Sequence, residues 1–390
     1  MRPTGALHIG HYHGALKNWV RLQDEAQCYY FVADWHALTT HYETPEVLAA
    51  SVWDMLIDWF AAGLDPAKST VFIQSRVPEH AELFLLLSMA TPLGWLERVP
   101  TYKDQIEKLK DKDLSTYGFL GYPLMQAADI LIYRASQVPV GEDQVPHIEM
   151  TRETARRFNH LFGREPGFEQ KVEAALKKLG GKAAKTVTEA RQKWTQEGDA
   201  AAKDAARAAI AAASIPQDDR ERLLGWIDGT RRTILVEPAA RLTETPKLPG
   251  LDGAKMSKSY GNAVLMREDP KQLTDKLRKM PTDPARVRRT DPGEPERCPV
   301  WQLHKVYSNE STQAWAAQGC RSAGIGCLEC KQPVIDAMLA EQQPWRERAQ
   351  PFLDRPQLLR EIVDDGCARA RATAQETMRD VREAMGLSYR

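Results

Sequence analysis

Two patterns alternate along the first 160 residues, and this alternation constrains the fold more than any other feature of the chain. Cys28 to Ala33 (CYYFVA) and Thr70 to Gln74 (TVFIQ) are short apolar runs rich in β-formers, as strands buried on both faces should be. Between them, Pro45 to Gly63 has helical spacing and stops on a glycine, and Val138 to Val140 is a third strand candidate. Strands alternating with helices call for a parallel sheet with helices on both faces, and such sheets bind ligands at the carboxyl ends of their strands. From Arg164 to Thr233 the composition shifts to Ala, Lys, Arg and Glu, with AAKDAARAAIAAA at its centre and breaks at Gly180-Gly181 and Ile215-Pro216. That composition predicts helices inserted into the α/β unit as a solvated hairpin, a nucleic-acid contact arm being the alternative. A strand-like ILVE (Ile234 to Glu237) then leads into the loop TETPKLPGLDGAKMSKS. From about Pro270 the pattern is mostly helical, ending in an amphipathic stretch from Gln357 to Met385.

The 390 residues carry 53 basic and 53 acidic side chains, so the net charge is zero and any nucleic-acid binding must come from local basic patches. With 43% apolar and 27% charged residues, disordered and fibrous classes are excluded. The longest apolar stretch, Leu83 to Leu96, is short and interrupted by Ser88, Thr91, Pro92 and Gly94, so no membrane span is expected. The opening MRPTGALHIGHYHG lacks the plan of a secretory signal, which makes a cytoplasmic location the expectation. In such a setting six cysteines do not form a disulfide framework. Four of them, Cys298, Cys320, Cys327 and Cys330, are spaced C-x21-C-x6-C-x2-C. Four thiolates in this spacing can close a tetrahedral zinc site or hold an iron-sulfur cluster, or they remain unligated. Cys28 and Cys367 are expected in the core.

Two segments carry chemistry. Pro3 to His11 (PTGALHIGH) precedes a helical pattern; a glycine beside a helix start lets a phosphate approach backbone N–H groups, and His8 and His11 add donors for its oxygens. Lys255-Met256-Ser257-Lys258-Ser259 lies on a loop opened by Gly250 and Gly253, where two lysines can follow a departing polyphosphate and neutralise charge as it develops. Together, and in this order, the two segments resemble the HIGH and KMSKS signatures of class I aminoacyl-tRNA synthetases.

Two further segments resemble the tryptophanyl branch of the tyrosine/tryptophan subgroup: Tyr122 to Leu131 (YPLMQAADIL) and Val138 to Gln144 (VPVGEDQ). An indole N–H only donates, so its pocket needs a fixed acceptor, and Asp129 provides a charged one. The small Ala127 and Ala128 leave space for the wide ring. The resemblance implies an α/β fold: a Rossmann-type catalytic domain over 1–163, a helical insertion over 164–232, catalytic domain and lysine loop over 233–262, and an all-α anticodon-binding domain over 263–390. His8, His11, Lys255 and Lys258 are implied as catalytic. Arg2, Thr4, Gly10, His11, Gly141, Asp143, Gln144, Lys255, Met256, Ser257, Lys258 and Ser259 are implied to bind ATP. Met125, Gln126, Asp129 and His36 are implied to hold the amino acid. Many relatives have Met where this chain has Gln126.

The reaction implied is tryptophan activation by ATP with Mg²⁺, followed by transfer to tRNA(Trp), in a homodimer. By the same resemblance the cysteine quartet holds a four-iron four-sulfur cluster rather than zinc, although its first gap of 21 is one residue short of the branch pattern. Relatives also carry a central strand before the segment matching Met1 to Pro3, so the native protein is expected to be longer by about ten residues. The rival readings are a tyrosyl-type enzyme, a non-catalytic metal-binding RNA-binding paralogue, and another α/β nucleotidyltransferase.

Overall fold

A computed structural model describes the chain except for Thr4 and residues 100–115, 164, 229–231, 243–247, 258–259 and 390. It divides into two compact units, each made of segments distant in sequence: Met1–Arg76 with Thr243–Ala368, and Val77–Leu242 with Arg369–Arg390. In the first unit, β1 (Cys28–Val32) pairs in parallel with β2 (Ser69–Ile73), in a register running from Cys28 opposite Ser69 to Val32 opposite Ile73. Both match the expected strands, and β2 is buried throughout. The Met1 ammonium donates to the Phe31 carbonyl at 2.8 Å, and the Met1 carbonyl accepts from the Ala33 N–H at 2.8 Å, so the first residue runs beside β1.

The crossover helix spans Glu46–Ala62 and fully buries Met55, Leu56 and Trp59. Gly63 ends it at φ +116°, a left-handed turn that glycine adopts at no steric cost. Two long helices contribute to this unit, Cys327–Asp354 along its whole length and Pro356–Ala384 as far as Ala368. The first packs on the crossover helix through Phe352 against Phe60, ring centroids 5.5 Å apart. The second meets β2 backbone to backbone: a Cβ at Gly366 would lie 1.9 Å from the Val71 carbonyl oxygen, so only glycine fits there.

In the second unit β3 (Gln137–Val140) pairs in parallel with β4 (Ala239–Leu242). The expected strand at ILVE does not form. The Ile234 and Leu235 N–H groups both donate to Asn159 Oδ1, at 2.9 and 3.0 Å, and Asn159 Nδ2 donates to the Leu235 carbonyl at 2.8 Å. One buried amide thus satisfies the backbone that a neighbouring strand would otherwise have paired, and the strand begins only after Pro238. The inserted segment is four helices, Phe168–Leu179, Gly181–Glu197, Ala200–Ala212 and Gln217–Ile227, rather than a hairpin. They bury a core of their own around Val172, Val187, Ala206, Ile210, Leu223 and Ile227. Buried Glu221 ties the last of them to Arg134 (2.6 Å) and Arg232 (2.7 Å). Among the described residues no helix is long and apolar enough to cross a membrane.

Candidate active site and cysteine centre

In the first unit the chain enters the histidine segment under tight control. The Leu7 N–H donates to Asp58 Oδ2 on the crossover helix at 3.0 Å, and Arg267 Nε donates to the same carboxylate at 2.6 Å. Leu7 and Ile9 exchange backbone bonds with Met266 and Val264, at 2.9 and 3.0 Å, which anchors the segment to the chain that follows the lysine loop. A helix opens at Ile9, widens into a π-type turn over Tyr12–Leu16 and continues over Lys17–Leu22. Such π-turns are rare and frequent at functional sites. His8 and His11 come together, ring centroids 3.7 Å apart, with the His8 N–H donating to His11 Nδ1 at 3.2 Å. Gly10 allows this: a Cβ there would lie 2.9 Å from His8 Nδ1. The same point is 3.8 Å from Met256 Sδ, so the histidine turn and the lysine loop are neighbours.

Met256 is the buried anchor of that loop, while Lys255 is exposed. Asn262, at 3% exposure, organises it. Its Oδ1 accepts from the Ser257 N–H at 2.7 Å, and its Nδ2 donates to the Lys255 carbonyl (3.1 Å) and Asp252 Oδ1 (2.8 Å). These bonds to the Asn262 amide and to the Ala254 N–H hold the Asp252 carboxyl below the usual carboxylate range. Gly250 leaves the space for that amide, since its Cβ would fall 2.4 Å from Asn262 Nδ2. His36 is buried on the helix Asp34–His41, whose first residue accepts from the Ser75 N–H just beyond β2 at 3.0 Å. Arg2 is exposed. Thr4, Lys258 and Ser259 lie outside the described residues.

The second unit holds the other expected residues. Met125, Gln126 and Asp129 lie on the helix Tyr117–Leu131; the first two are half-buried and Asp129 is buried beside the fully buried Ala127 and Ala128. Asp129 Oδ1 and His80 Nδ1 are 2.6 Å apart, and His80 Nε2 is 2.7 Å from the Tyr133 hydroxyl. After β3, Gly141 precedes the turn Glu142–Gln144. A Cβ at Gly141 would meet Asp143 Oδ1 at 2.9 Å, and Gln144 Nε2 donates to Asp143 Oδ2 at 3.2 Å, so these three residues form one compact turn.

The four cysteines of the quartet line one cavity, together with Thr282, Asp283, Arg286, Val300 and Lys331. Cys298 caps the helix Pro299–Tyr307, Cys320 sits near the end of Glu310–Arg321, and Cys327 and Cys330 occupy the first turn of Cys327–Asp354. All are free thiols. Burial pushes the Cys330 thiol up to about 12, and the other three cysteines push the same way. Gly293 makes room for Cys320, whose Sγ would lie 2.8 Å from a Cβ. Among the described residues no group of three or more His, Cys, Asp or Glu side chains is drawn together closely enough to hold a metal ion. Sequence reasoning missed Asn262, His80, Arg286 and Lys331. His80, Arg286 and Lys331 act through contacts remote in sequence, Asn262 braces its own loop, and no local pattern marks any of them. Cys367 is buried as expected, whereas Cys28 is only half-buried.

A parallel α/β core with a histidine pair at a helix start and a braced lysine loop beside it is the equipment of a nucleotide-activating enzyme. Residues 1–211 and 227–341 match the family described as tRNA synthetases class I (W and Y). The chain is 70% identical to the tryptophan–tRNA ligase of Ralstonia nicotianae, with 100% of this chain and 98% of that protein covered. It is 43% identical to the tryptophan–tRNA ligase of Thermotoga maritima, with 100% and 98% covered. The crystal structure of tryptophanyl-tRNA synthetase from Campylobacter jejuni, complexed with ADP and tryptophan, is similar at a TM-score of 0.74 and 29% identity, covering 99% of this chain and 98% of that one. The chain belongs to the class I tRNA synthetases of the tryptophan and tyrosine family.

Proposed function

We propose that the chain is a tryptophan–tRNA ligase. The tryptophan carboxylate attacks the α-phosphorus of ATP, giving tryptophanyl-adenylate and pyrophosphate, and the tryptophanyl group then passes to the 3′-terminal ribose of tRNA(Trp) with release of AMP. Placement and electrostatics carry the chemistry. His8 and His11, with the helix start behind them, donate to phosphate oxygens, and the turn at Gly10 keeps backbone open to them. Lys255 and Lys258 neutralise charge gathering on the pyrophosphate, with Met256, Ser257 and Ser259 shaping the loop. Arg2, Thr4, Gly141, Asp143 and Gln144 complete the nucleotide contacts, and Met125, Gln126, Asp129 and His36 hold tryptophan. Mg²⁺ bound with ATP supplies further charge neutralisation.

The observation that carries the tryptophan reading is Asp129, a buried carboxylate set beside two alanines, which suits a donor-only indole N–H. The C-terminal helices over 263–390 read the anticodon. The test is ATP–pyrophosphate exchange with tryptophan and with tyrosine: tryptophan alone should drive it, and tyrosine-driven exchange would move the chain to the tyrosyl type.

The donor set around the cysteine cavity fits a four-iron four-sulfur cluster held by Cys298, Cys320, Cys327 and Cys330. Arg286 and Lys331 line the same cavity, and two cations suit an anionic cluster. Bound there, the group supplies a rigid cross-link between three helix ends. The thiols must lose protons to bind it, and burial pushes the Cys298, Cys320 and Cys330 thiols up, so loading is coupled to proton release. Chain purified without oxygen should contain iron and sulfide in about equal amounts with broad visible absorption, and Cys330→Ser should lose both. Zinc in place of iron would select the other ligand reading.

A further inference from the structure

Asp129 is not alone in its pocket. His80, on the helix Glu79–Ser88, is wholly buried, and Tyr133 lies just beyond the helix that carries Asp129. An ionised carboxylate only accepts hydrogen bonds, so across the 2.6 Å contact His80 Nδ1 must carry the proton and donate. In a neutral imidazole the other nitrogen is then an acceptor, and the Tyr133 O–H must donate to Nε2 across 2.7 Å. With Asp129 ionised and His80 neutral, every proton in the row Tyr133–His80–Asp129 points toward the carboxylate.

We propose that His80 is the positioning residue for amino-acid recognition: backed by Tyr133, it holds Asp129 ionised and fixed, so that the carboxylate can only accept from the substrate. This rests on the reading of Asp129 as the indole acceptor. A carboxylate has lone pairs for several donors, so the bond from His80 orients it and leaves acceptor capacity for the indole N–H. A buried carboxyl deprived of a donor tends to take up a proton. Once protonated it can donate as well as accept, and an analogue with no N–H is no longer rejected. Discrimination of this kind depends on the site's polar group having one defined role.

The experiment compares kcat/KM in ATP–pyrophosphate exchange for tryptophan and for its benzothiophene analogue, in which sulfur replaces the N–H, using the full chain. The wild type should favour tryptophan by about a hundred-fold or more, and Asp129→Ala should abolish that preference. His80→Ala should cut the preference about ten-fold, chiefly through a raised KM for tryptophan with the KM for ATP little changed. His80→Asn, whose amide N–H can stand in for Nδ1–H, should recover part of it, and Tyr133→Phe should lower it about two- to five-fold. If the His80 and Tyr133 variants slow both amino acids equally and keep the wild-type ratio, their role is structural and the inference is overturned. Should His80→Ala fail to fold, Tyr133→Phe decides by the same ratio. An unchanged ratio in Asp129→Ala overturns the indole reading and this inference together. Loss of the ratio in Asp129→Ala, with retention in both other positions, overturns this inference alone.

Discussion

Asn262 shows how a single side chain can set the geometry of the lysine loop. Its amide binds the Ser257 N–H, the Lys255 carbonyl and Asp252, so the backbone on both sides of Met256 is fixed by one group. Asn262→Ala removes these bonds, and the exposed groups then turn to water and the loop backbone loses its brace. A loop that no longer holds Lys255 in place should lose at least about ten-fold in kcat for exchange, with tryptophan KM nearly unchanged, as stopped-flow or steady-state assays would reveal. Lys255→Ala itself should lower the activation rate by about a hundred- to a thousand-fold, again with little effect on tryptophan affinity; equal losses in both would remove its transition-state role. The brace also has a pH signature. Because the folded Asp252 carboxyl is held below its ordinary value, the stabilisation is complete above about pH 4 and is lost as pH falls through the folded value. Exchange measured at falling pH should decline more steeply in the wild type than in Asp252→Asn if protonation of this group loosens the loop. The lysine motif was legible in the sequence because its chemistry lies in consecutive residues. His80 was not, because it meets Asp129 across 49 positions and only folding reveals the pair.

The helix between the first two strands, governed by local rules, was read correctly, whereas the ILVE segment, governed by a distant partner, was not. The helix Glu46–Ala62 follows from its own periodicity and the glycine that ends it. The ILVE segment has strand composition, yet Asn159, 75 residues away from Ile234, supplies the hydrogen bonds and removes the need for a neighbour. The insertion was recognisable as helical from composition, but its division into four helices depended on the turn at Gly198, φ +70°, where no break was expected. Its private core makes a distinct prediction. Ile210 is fully buried in it, so Ile210→Ala should destabilise this subdomain by about 2–5 kcal/mol. Limited proteolysis should then cut within residues 164–232 earlier than in the wild type, while tryptophan-dependent exchange persists. Simultaneous loss of exchange would mean that the insertion supports the catalytic fold and is not a separable accessory.

At the scale of the whole molecule, the homodimer implied by the sequence resemblance makes a prediction about the exposed apolar side chains of the second unit. Leu85 and Met89 stand one helical turn apart at 53% and 69% exposure, Leu93 is 57% exposed, and Tyr117 on the neighbouring helix is 65% exposed. Scattered apolar residues are normal on a monomer, but several large ones on adjoining helices are the composition of an interface core. A two-fold dimer that used these residues would bring them against their own copies and bury them on both sides. Sedimentation or light scattering at micromolar concentration should therefore give twice the chain mass of 43.9 kDa. Placing charge at the centre of the face, with Leu85→Glu and Met89→Lys separately, should shift the mass toward the single chain, since each variant would meet its own like charge across the symmetry axis. A wild type that sediments as one chain would discard the dimer. A wild type that is dimeric but indifferent to both substitutions would keep the dimer and place its interface elsewhere.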